Sequence, residues 1–129
     1  MPIKVVVMEG VWADWTDDYN AVSPEINAVA ARTDEMLLEE IVDADVVLGR
    51  LPRDPFLAAK QLKWVQSIGV GFETMLYPEM IESDVIITNT AGAFDSAMAE
   101  HAIALMLSHT RGIVEAERHR RNRFYTRDI

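Results

Sequence analysis

A segment with two closely spaced glycines, Ser67-Ile68-Gly69-Val70-Gly71-Phe72, directly follows an apolar run and could bind a small anion. Glycines separated by one residue allow a sharp turn and a close approach of backbone N–H groups to a ligand, which suits a carboxylate or a phosphate. The segment is not the dinucleotide fingerprint, because that motif continues into a third glycine and a helix, and Phe72-Glu73-Thr74 follows here. By itself the pattern is more typical of a structural turn than of a binding loop.

A second candidate segment, residues 89–101, joins the end of another apolar run to a strongly apolar helix. Asp95 or Ser96 could cap that helix, and the N–H groups of its first turn would then favour an anion at the strand ends. The alternative is a well-capped core helix that binds nothing.

The elements that must position these segments alternate between strand and helix about five times. Apolar, β-branched runs predict strands at residues 3–8, 26–30, 45–48, 63–68 and 85–88, with short helical patterns between them. Short connections between such elements predict an α/β fold: an open, mostly parallel sheet with helices on both faces. Ligands collect at the carboxyl ends of the strands in such sheets, and both candidate segments follow strand ends.

The chain after residue 94 has a different character. Nine of the eleven residues from Ala97 to Leu107 are apolar, and a helix that is apolar all round is expected to be buried on every side. The pattern predicts one helix of more than twenty residues, which suits a connector between two domains. We therefore expect a first domain at residues 1–94, and at residues 95–129 an interdomain helix leading to a domain that this sequence lacks.

Composition excludes several classes of function. The 129 residues carry 12 Lys and Arg against 21 Asp and Glu, a net charge of −9, which disfavours binding to nucleic acid. The basic stretch at residues 118–127 is better explained as a solvated helix end. No cysteine is present, and no apolar run approaches the roughly 18 residues of a spanning helix. We expect a cytoplasmic protein with no membrane contact and no metal site.

Four stretches, taken in order, closely resemble the D-2-hydroxyacid dehydrogenase family. They are residues 44–50 (Ala-Asp-Val-Val-Leu-Gly-Arg), 62–71 (Leu-Lys-Trp-Val-Gln-Ser-Ile-Gly-Val-Gly), 85–92 (Val-Ile-Ile-Thr-Asn-Thr-Ala-Gly) and 97–107 (Ala-Met-Ala-Glu-His-Ala-Ile-Ala-Leu-Met-Leu). The sequences Gly92-Ala93-Phe94 and Met98-Ala99-Glu100 are most similar to the glyoxylate/hydroxypyruvate reductase branch. The resemblance runs from about residue 44 to residue 111, while residues 1–43 are only compatible with it.

The resemblance implies a flavodoxin-like substrate domain into which a Rossmann domain is inserted, with the active site in the cleft between them. It implies that the backbone N–H groups of Val70 and Gly71, beside Gly69, bind the carboxylate of a 2-oxo acid. Arg50 could face the same cleft, where a guanidinium suits a carboxylate. A solvated surface arginine explains this residue equally well.

For the cofactor, the resemblance implies that Ser96 and Met98 approach the nicotinamide of NAD or NADP. The family's catalytic arginine, carboxylate and histidine lie later in its chain, as does its glycine fingerprint. We therefore expect no catalytic residue and no bound cofactor on this segment. Its three histidines, His101, His109 and His119, do not match the catalytic one. The sequence departs from the commonest family wording with Glu73 in place of Asp and Met98 in place of Val.

The expected function is the substrate-binding part of an oxidoreductase that interconverts a small 2-oxo acid and the D-2-hydroxy acid with NAD(P). We expect this segment alone to be inactive, and the parent protein to form a homodimer through the long helix. The alternative is a non-catalytic flavodoxin-like binding module, such as the related C-terminal-binding-protein corepressor. A phosphoryl receiver or a flavin-binding flavodoxin fits less well, because only Glu9 follows the first strand and no Ser/Thr-rich loop comes after Met8. The sequence identifies neither the particular acid nor the choice between NAD and NADP.

Overall fold

Five strands form one parallel sheet in the computed structural model, which describes residues 1–8 and 10–126. They are β1 (Ile3–Met8), β2 (Ile26–Ala31), β3 (Val46–Leu48), β4 (Trp64–Gln66) and β5 (Ile86–Thr88). Their order is β2-β1-β3-β4-β5, and every neighbouring pair is parallel. This is the flavodoxin-like order of doubly wound sheets, so the predicted α/β fold is confirmed. Glu9 and the end of the basic stretch, residue 127, lie outside the described residues.

The described residues form six α-helices, and start signals in the sequence mark only some of their first turns. They are α1 (Thr16–Val22), α2 (Asp34–Glu40), α3 (Arg53–Ala58), α4 (Pro78–Ile81), α5 (Asp95–Thr110) and α6 (Ile113–Arg121), with short 3₁₀ helices at Gly10–Trp15, Ile41–Asp43 and Glu73–Met75. Thr33 caps α2, its Oγ1 accepting from the N–H of Met36 at 3.2 Å. Pro78 occupies the first turn of α4, where its missing N–H costs nothing.

Alternate residues of the strands face two very different environments. Val6, Val47 and Val65 are fully buried on one face, where they pack with Leu37, Ile41 and other apolar side chains beneath α2, α3 and α4. Successive strand residues point to opposite faces, so their neighbours line the other side of the sheet. There the 3₁₀ helix Gly10–Trp15 and α1 contact the β1–β2 end of the sheet. An apolar groove of about 350 Å³ lies on that side, lined by Tyr19 of α1 and by strand residues including Val5, Val46, Leu48 and Trp64.

The chain separates into two compact units, Met1–Ala91 and Gly92–Ile129. In the second unit the apolar pattern predicts one helix of more than twenty residues, and that prediction is wrong in its length. A long helix is present, but α5 ends at Thr110 because Gly112 adopts a left-handed conformation with φ of 57°, and α6 then begins at Ile113. A left-handed residue cannot continue an α-helix, and glycine adopts that conformation at little cost.

The side chains of α5 are also more exposed than an all-round apolar helix predicts. All residues from 97 to 107 are exposed, including Leu105 and Met106 at 58% and 60%. A unit built from two helices has too little chain to surround one of them, so the burial expected for this helix is not found within the described residues. Across residues 1–8 and 10–126, no helix is both long enough and apolar enough to cross a membrane.

Candidate functional site

Three strand ends meet at the carboxyl edge of the sheet, and the candidate loop follows the middle one. Gly49 comes after β3, Ser67 after β4 and Asn89 after β5. The N–H of Gly49 donates to the carbonyl of Gln66 at 2.9 Å, and the N–H of Ser67 donates to the carbonyl of Thr88 at 2.8 Å. These bonds continue the ladder beyond the strands, so the three loops begin side by side.

The segment after β5 binds the carbonyl groups of the loop after β4. The hydroxyl of Thr90 donates to the Ile68 carbonyl at 3.1 Å, and the N–H of Thr90 donates to the Gly69 carbonyl at 3.2 Å. The side-chain amide of Asn89 donates through Nδ2 to the Val70 carbonyl. Three consecutive carbonyl groups of the loop are therefore bonded to the same two residues.

Ser67 closes the loop from inside. Its side chain is only 6% exposed, and its Oγ accepts from the N–H of Gly69 at 3.2 Å and donates to the Gly71 carbonyl at 3.2 Å. The fourth carbonyl of the loop is thus bonded as well. A buried hydroxyl that both accepts and donates holds the two ends of a short loop together.

The backbone N–H groups of Val70 and Gly71 remain available. Within the described part of the chain, neither N–H group has a hydrogen-bond acceptor, while the carbonyl groups of both residues are bonded. Both residues are exposed, with Val70 at 43%. N–H groups that have no acceptor in the protein bind water or a ligand with acceptor oxygen atoms. The arrangement therefore has the polarity expected of an anion-binding loop.

The two glycines of this loop do not adopt left-handed backbone conformations. Neither Gly69 nor Gly71 has a positive φ. A Cβ at Gly69 would make only ordinary contacts, the nearest being 3.5 Å from the Gly71 carbonyl oxygen. A Cβ at Gly71 would collide with the carboxylate of Glu73, the mobile end of a flexible side chain. The two glycines thus leave the loop surface free of side chains, and neither provides a left-handed turn.

Gly49, in contrast, is required by its backbone conformation and its packing. In the sequence, its position directly after an apolar run indicates this role only weakly. Its φ is 129°, and a Cβ there would lie 2.6 Å from the Cβ of Met8 at the end of β1. Only glycine fits this conformation and this approach. Gly49 therefore lets the chain leave β3 tightly against β1.

Arg50 follows Gly49 at this edge, and its guanidinium is engaged with an acidic side chain. Its Nη2 lies 2.8 Å from Oδ1 of Asp34, the first residue of α2, and both side chains are at least half exposed. A role for Arg50 in binding a carboxylate stays a prediction, and an incoming anion would compete with Asp34 for the same donors.

Ser96 and Met98 lie in the first turns of α5, in the second unit. Phe94 occupies the N-cap position and no side chain caps the helix, so the predicted cap by Asp95 or Ser96 is wrong. The helix begins at Asp95, so Asp95 and Ser96 already lie inside it. A side chain inside the helix no longer has the geometry of an N-cap. Met98 is 68% exposed. The placement of Ser96 and Met98 beside a nicotinamide stays a prediction.

A relay of side-chain hydrogen bonds also supports the loop and was not foreseen from the sequence. Nε1 of Trp64 donates to Oγ1 of Thr88 at 2.7 Å, and that hydroxyl donates to Oε1 of Gln66 at 2.6 Å. Nε2 of Gln66 then donates to the Ser67 carbonyl at 2.8 Å. All three side chains occupy alternate positions of β4 and β5 on one face, so the period of the strands could have indicated this neighbourhood.

Comparisons with known proteins show which sequences and folds this chain resembles. The chain is 34% identical over 88 residues to a glyoxylate reductase of Thermofilum pendens, a match that covers 65% of this chain and 26% of that protein. It is 30% identical over 118 residues to a D-3-phosphoglycerate dehydrogenase of Methanocaldococcus jannaschii, covering 88% of this chain and 22% of that protein. The match thus spans about a quarter of the length of these relatives.

The fold also matches a solved structure. A D-isomer specific 2-hydroxyacid dehydrogenase family protein from Aeromonas salmonicida superimposes with a TM-score of 0.78 at 17% identity, over 98% of this chain and 41% of that one. The sequence model of the D-isomer specific 2-hydroxyacid dehydrogenase catalytic domain matches residues 5–129. Because that match covers nearly the whole sequence, the chain belongs to the D-isomer specific 2-hydroxyacid dehydrogenase family.

Proposed function

We propose that this chain is the substrate-side part of an NAD(P)-dependent D-2-hydroxyacid dehydrogenase, and that the N–H groups of Val70 and Gly71 bind the carboxylate of a small 2-oxo acid. The observation that supports the proposal is that the loop's carbonyl groups are hydrogen-bonded whereas two of its N–H groups are not. The four carbonyl groups from Ile68 to Gly71 are all occupied, while these two N–H groups are open. Two N–H donors side by side match the two oxygen atoms of a carboxylate, and such charge-assisted hydrogen bonds are among the stronger ones.

The loops after β1 and β4 do not fit the pyrophosphate of a dinucleotide. The loop after β4 leads into the three-residue 3₁₀ helix Glu73–Met75, and a 3₁₀ helix at Gly10–Trp15 follows β1. Neither provides the glycine-rich entry to an α-helix that holds a pyrophosphate. In our proposal another part of the complete enzyme would hold NAD(P), which would supply the hydride chemistry at C2 of the acid. The residues of this chain hold the carboxylate and thereby orient C2.

The remaining predicted contacts belong to the same proposal. We place the boundary between the substrate domain, residues 1–94, and the interdomain helix at residue 95, with Ser96 and Met98 beside the nicotinamide. Gly69 shapes the loop, and Arg50 offers a second contact to the acid. The complete enzyme is proposed to dimerise through α5, and the exposure of its apolar residues between 97 and 107 supports this.

The binding proposal is tested by NMR on the ¹⁵N-labelled 129-residue chain. Addition of pyruvate is expected to shift the amide resonances of Val70 and Gly71 in a saturable way. Methyl pyruvate, which has the same carbonyl group but no carboxylate, is the matched control and should leave them in place. Equal shifts with the ester, or no shift with pyruvate, would contradict the proposal.

The chain alone is expected not to oxidise NAD(P)H with pyruvate, glyoxylate or hydroxypyruvate, and turnover above background would contradict that expectation.

A further inference from the structure

We infer that Asn89 is a positioning residue, whose carboxamide fixes the direction of the Gly71 N–H through the peptide group that links Val70 to Gly71. The inference rests on the proposed function of the loop, and it adds a residue that the sequence pattern did not single out.

The geometry of the trans peptide carries the first step. A carbonyl group and the N–H of the next residue belong to one plane and point in opposite directions, and the described chain has no cis peptide. Holding the carbonyl of one residue therefore orients the N–H of the next. Nδ2 of Asn89 donates to the Val70 carbonyl, so it directs the Gly71 N–H away from β5.

The two candidate donors are held by different bonds. The Val70 N–H shares its plane with the Gly69 carbonyl, which accepts from the backbone N–H of Thr90 at 3.2 Å and also lies 3.4 Å from Oγ of Ser67. The Gly71 N–H depends on the side chain of Asn89. Removing that side chain should release the Gly71 N–H while leaving the Val70 N–H in place.

The side chain of Asn89 is itself held in a turn. Its Oδ1 accepts from the N–H of Ala91 at 3.3 Å, which leaves Nδ2 directed at the loop after β4. An amide is the side chain that accepts at one end and donates at the other. Asp keeps the acceptor and lacks the donor, whereas Ser adds no charge and carries a single hydroxyl on a side chain too short to bond both Ala91 and Val70. These two replacements separate the turn from the bond to Val70.

The experiment uses residual dipolar couplings of the weakly aligned, ¹⁵N-labelled 129-residue chain, because they report the direction of each N–H bond. In Asn89→Ser we expect the Gly71 coupling to change and the Val70 coupling to keep its wild-type value. For pyruvate, the dissociation constant should rise about tenfold or more, the loss expected for one of two hydrogen bonds to a charged group.

The matched control is Asn20→Ser. Asn20 also bridges backbone groups, since its Nδ2 donates to the Ala28 carbonyl at 3.2 Å and its Oδ1 accepts from the Ala28 N–H. It lies in the same unit but on α1. This variant should lower stability and leave both the Gly71 coupling and the pyruvate affinity unchanged, which separates positioning from general loosening.

An unchanged Gly71 coupling in Asn89→Ser, or an equal change at Val70 and Gly71, would overturn the inference. If the serine variant does not fold, the couplings of Asn89→Asp, which keeps the acceptor for Ala91, are measured with the same expectation, and its pyruvate affinity is not compared because the added carboxylate itself repels an anion. A wild-type chain that does not bind pyruvate would contradict the proposed function alone. The couplings need no ligand and would still decide the role of Asn89.

Discussion

Two glycine-containing loops begin at the same edge of the sheet and serve opposite purposes. Gly49, after β3, has a φ of 129° and faces Met8 so closely that no side chain fits. Gly69 and Gly71, after β4, have no positive φ, and their loop is held by Ser67, Asn89 and Thr90. A glycine that packing requires contributes to the stability of the fold. A glycine in a loop held by hydrogen bonds instead leaves backbone N–H donors accessible to a ligand. The first type should be sensitive in unfolding experiments and the second in binding experiments.

The largest expected effect is on Gly49. Gly49→Ala should lower the free energy of unfolding by about 2–5 kcal/mol, because it combines an unfavourable φ with a collision against β1. Urea denaturation measures this. Gly69→Ala is the matched control, and it should range from neutral to about 1 kcal/mol more stable, since its conformation is open to other residues and alanine restricts the unfolded chain. Similar losses for both variants would remove the distinction between the two loops.

Gly71→Ala should show the reverse pattern. The new methyl group meets only the flexible end of Glu73, so the unfolding midpoint should change little. It also projects from the loop surface where an acid would approach, and the dissociation constant of pyruvate should rise about tenfold, equivalent to one lost hydrogen bond to a charged group. NMR titration checks the affinity and thermal unfolding checks the midpoint. A large loss of stability with unchanged affinity would show that Gly71 resembles Gly49.

At the other edge of the sheet, stability should depend on pH through Asp45. Its Oδ1 accepts from Nζ of Lys63 at 2.8 Å and its Oδ2 from the N–H of Lys4 at 3.1 Å, and these bonds lower the pKa of Asp45 below its ordinary value. A lowered folded-state pKa contributes stability above the unfolded pKa, and that contribution is lost as pH falls through the folded value. The stability difference between wild type and Asp45→Asn should therefore shrink as pH is lowered from 7 to about 2. Urea unfolding at several pH values measures the difference, and a constant difference would contradict the assignment.

The smallest expected effect concerns Glu73. Its carboxylate lies against Gly71 and should repel an anion bound to the loop. Glu73→Gln keeps the shape of the side chain and removes the charge, so pyruvate should bind about two- to fivefold more tightly, the range of a solvent-screened charge interaction. The gain should shrink as salt is added. Equal affinities at low salt would place the bound acid away from Glu73.

The sequence predicted most of the fold and the position of the candidate loop, but it did not predict the hydrogen bonds that hold the loop. The positions of the five strands, and their alternation with helices, follow from local patterns, because apolar periodicity is a property of neighbouring residues. Ser67 was seen only as part of a motif, and Asn89 only as the start of a connection. Their importance depends on bonds between residues such as Asn89 and Val70, which lie 19 positions apart.

The second unit shows the same limit. Its apolar composition predicted a long helix, and α5 is present, but the break at Gly112 was missed. A glycine inside a helical pattern is usually tolerated. Whether it continues the helix or adopts a left-handed conformation depends on what the following chain packs against. Composition therefore indicated an apolar surface without showing where the helix would end.

By itself, the sequence determined the alternation of strands and helices and the parallel sheet, because apolar periodicity is a local property of the chain. It also determined the family, because the order and spacing of the motifs can be read directly from the sequence. Only the tertiary structure decided which glycine is required by packing, which carbonyl groups are occupied, and which N–H groups stay open. The physical reason is that each backbone group can bond in many ways, and the partner is chosen by which segments the sheet brings together. Gly49 and Gly71 both follow strand ends in the sequence, and their neighbours in space make them different.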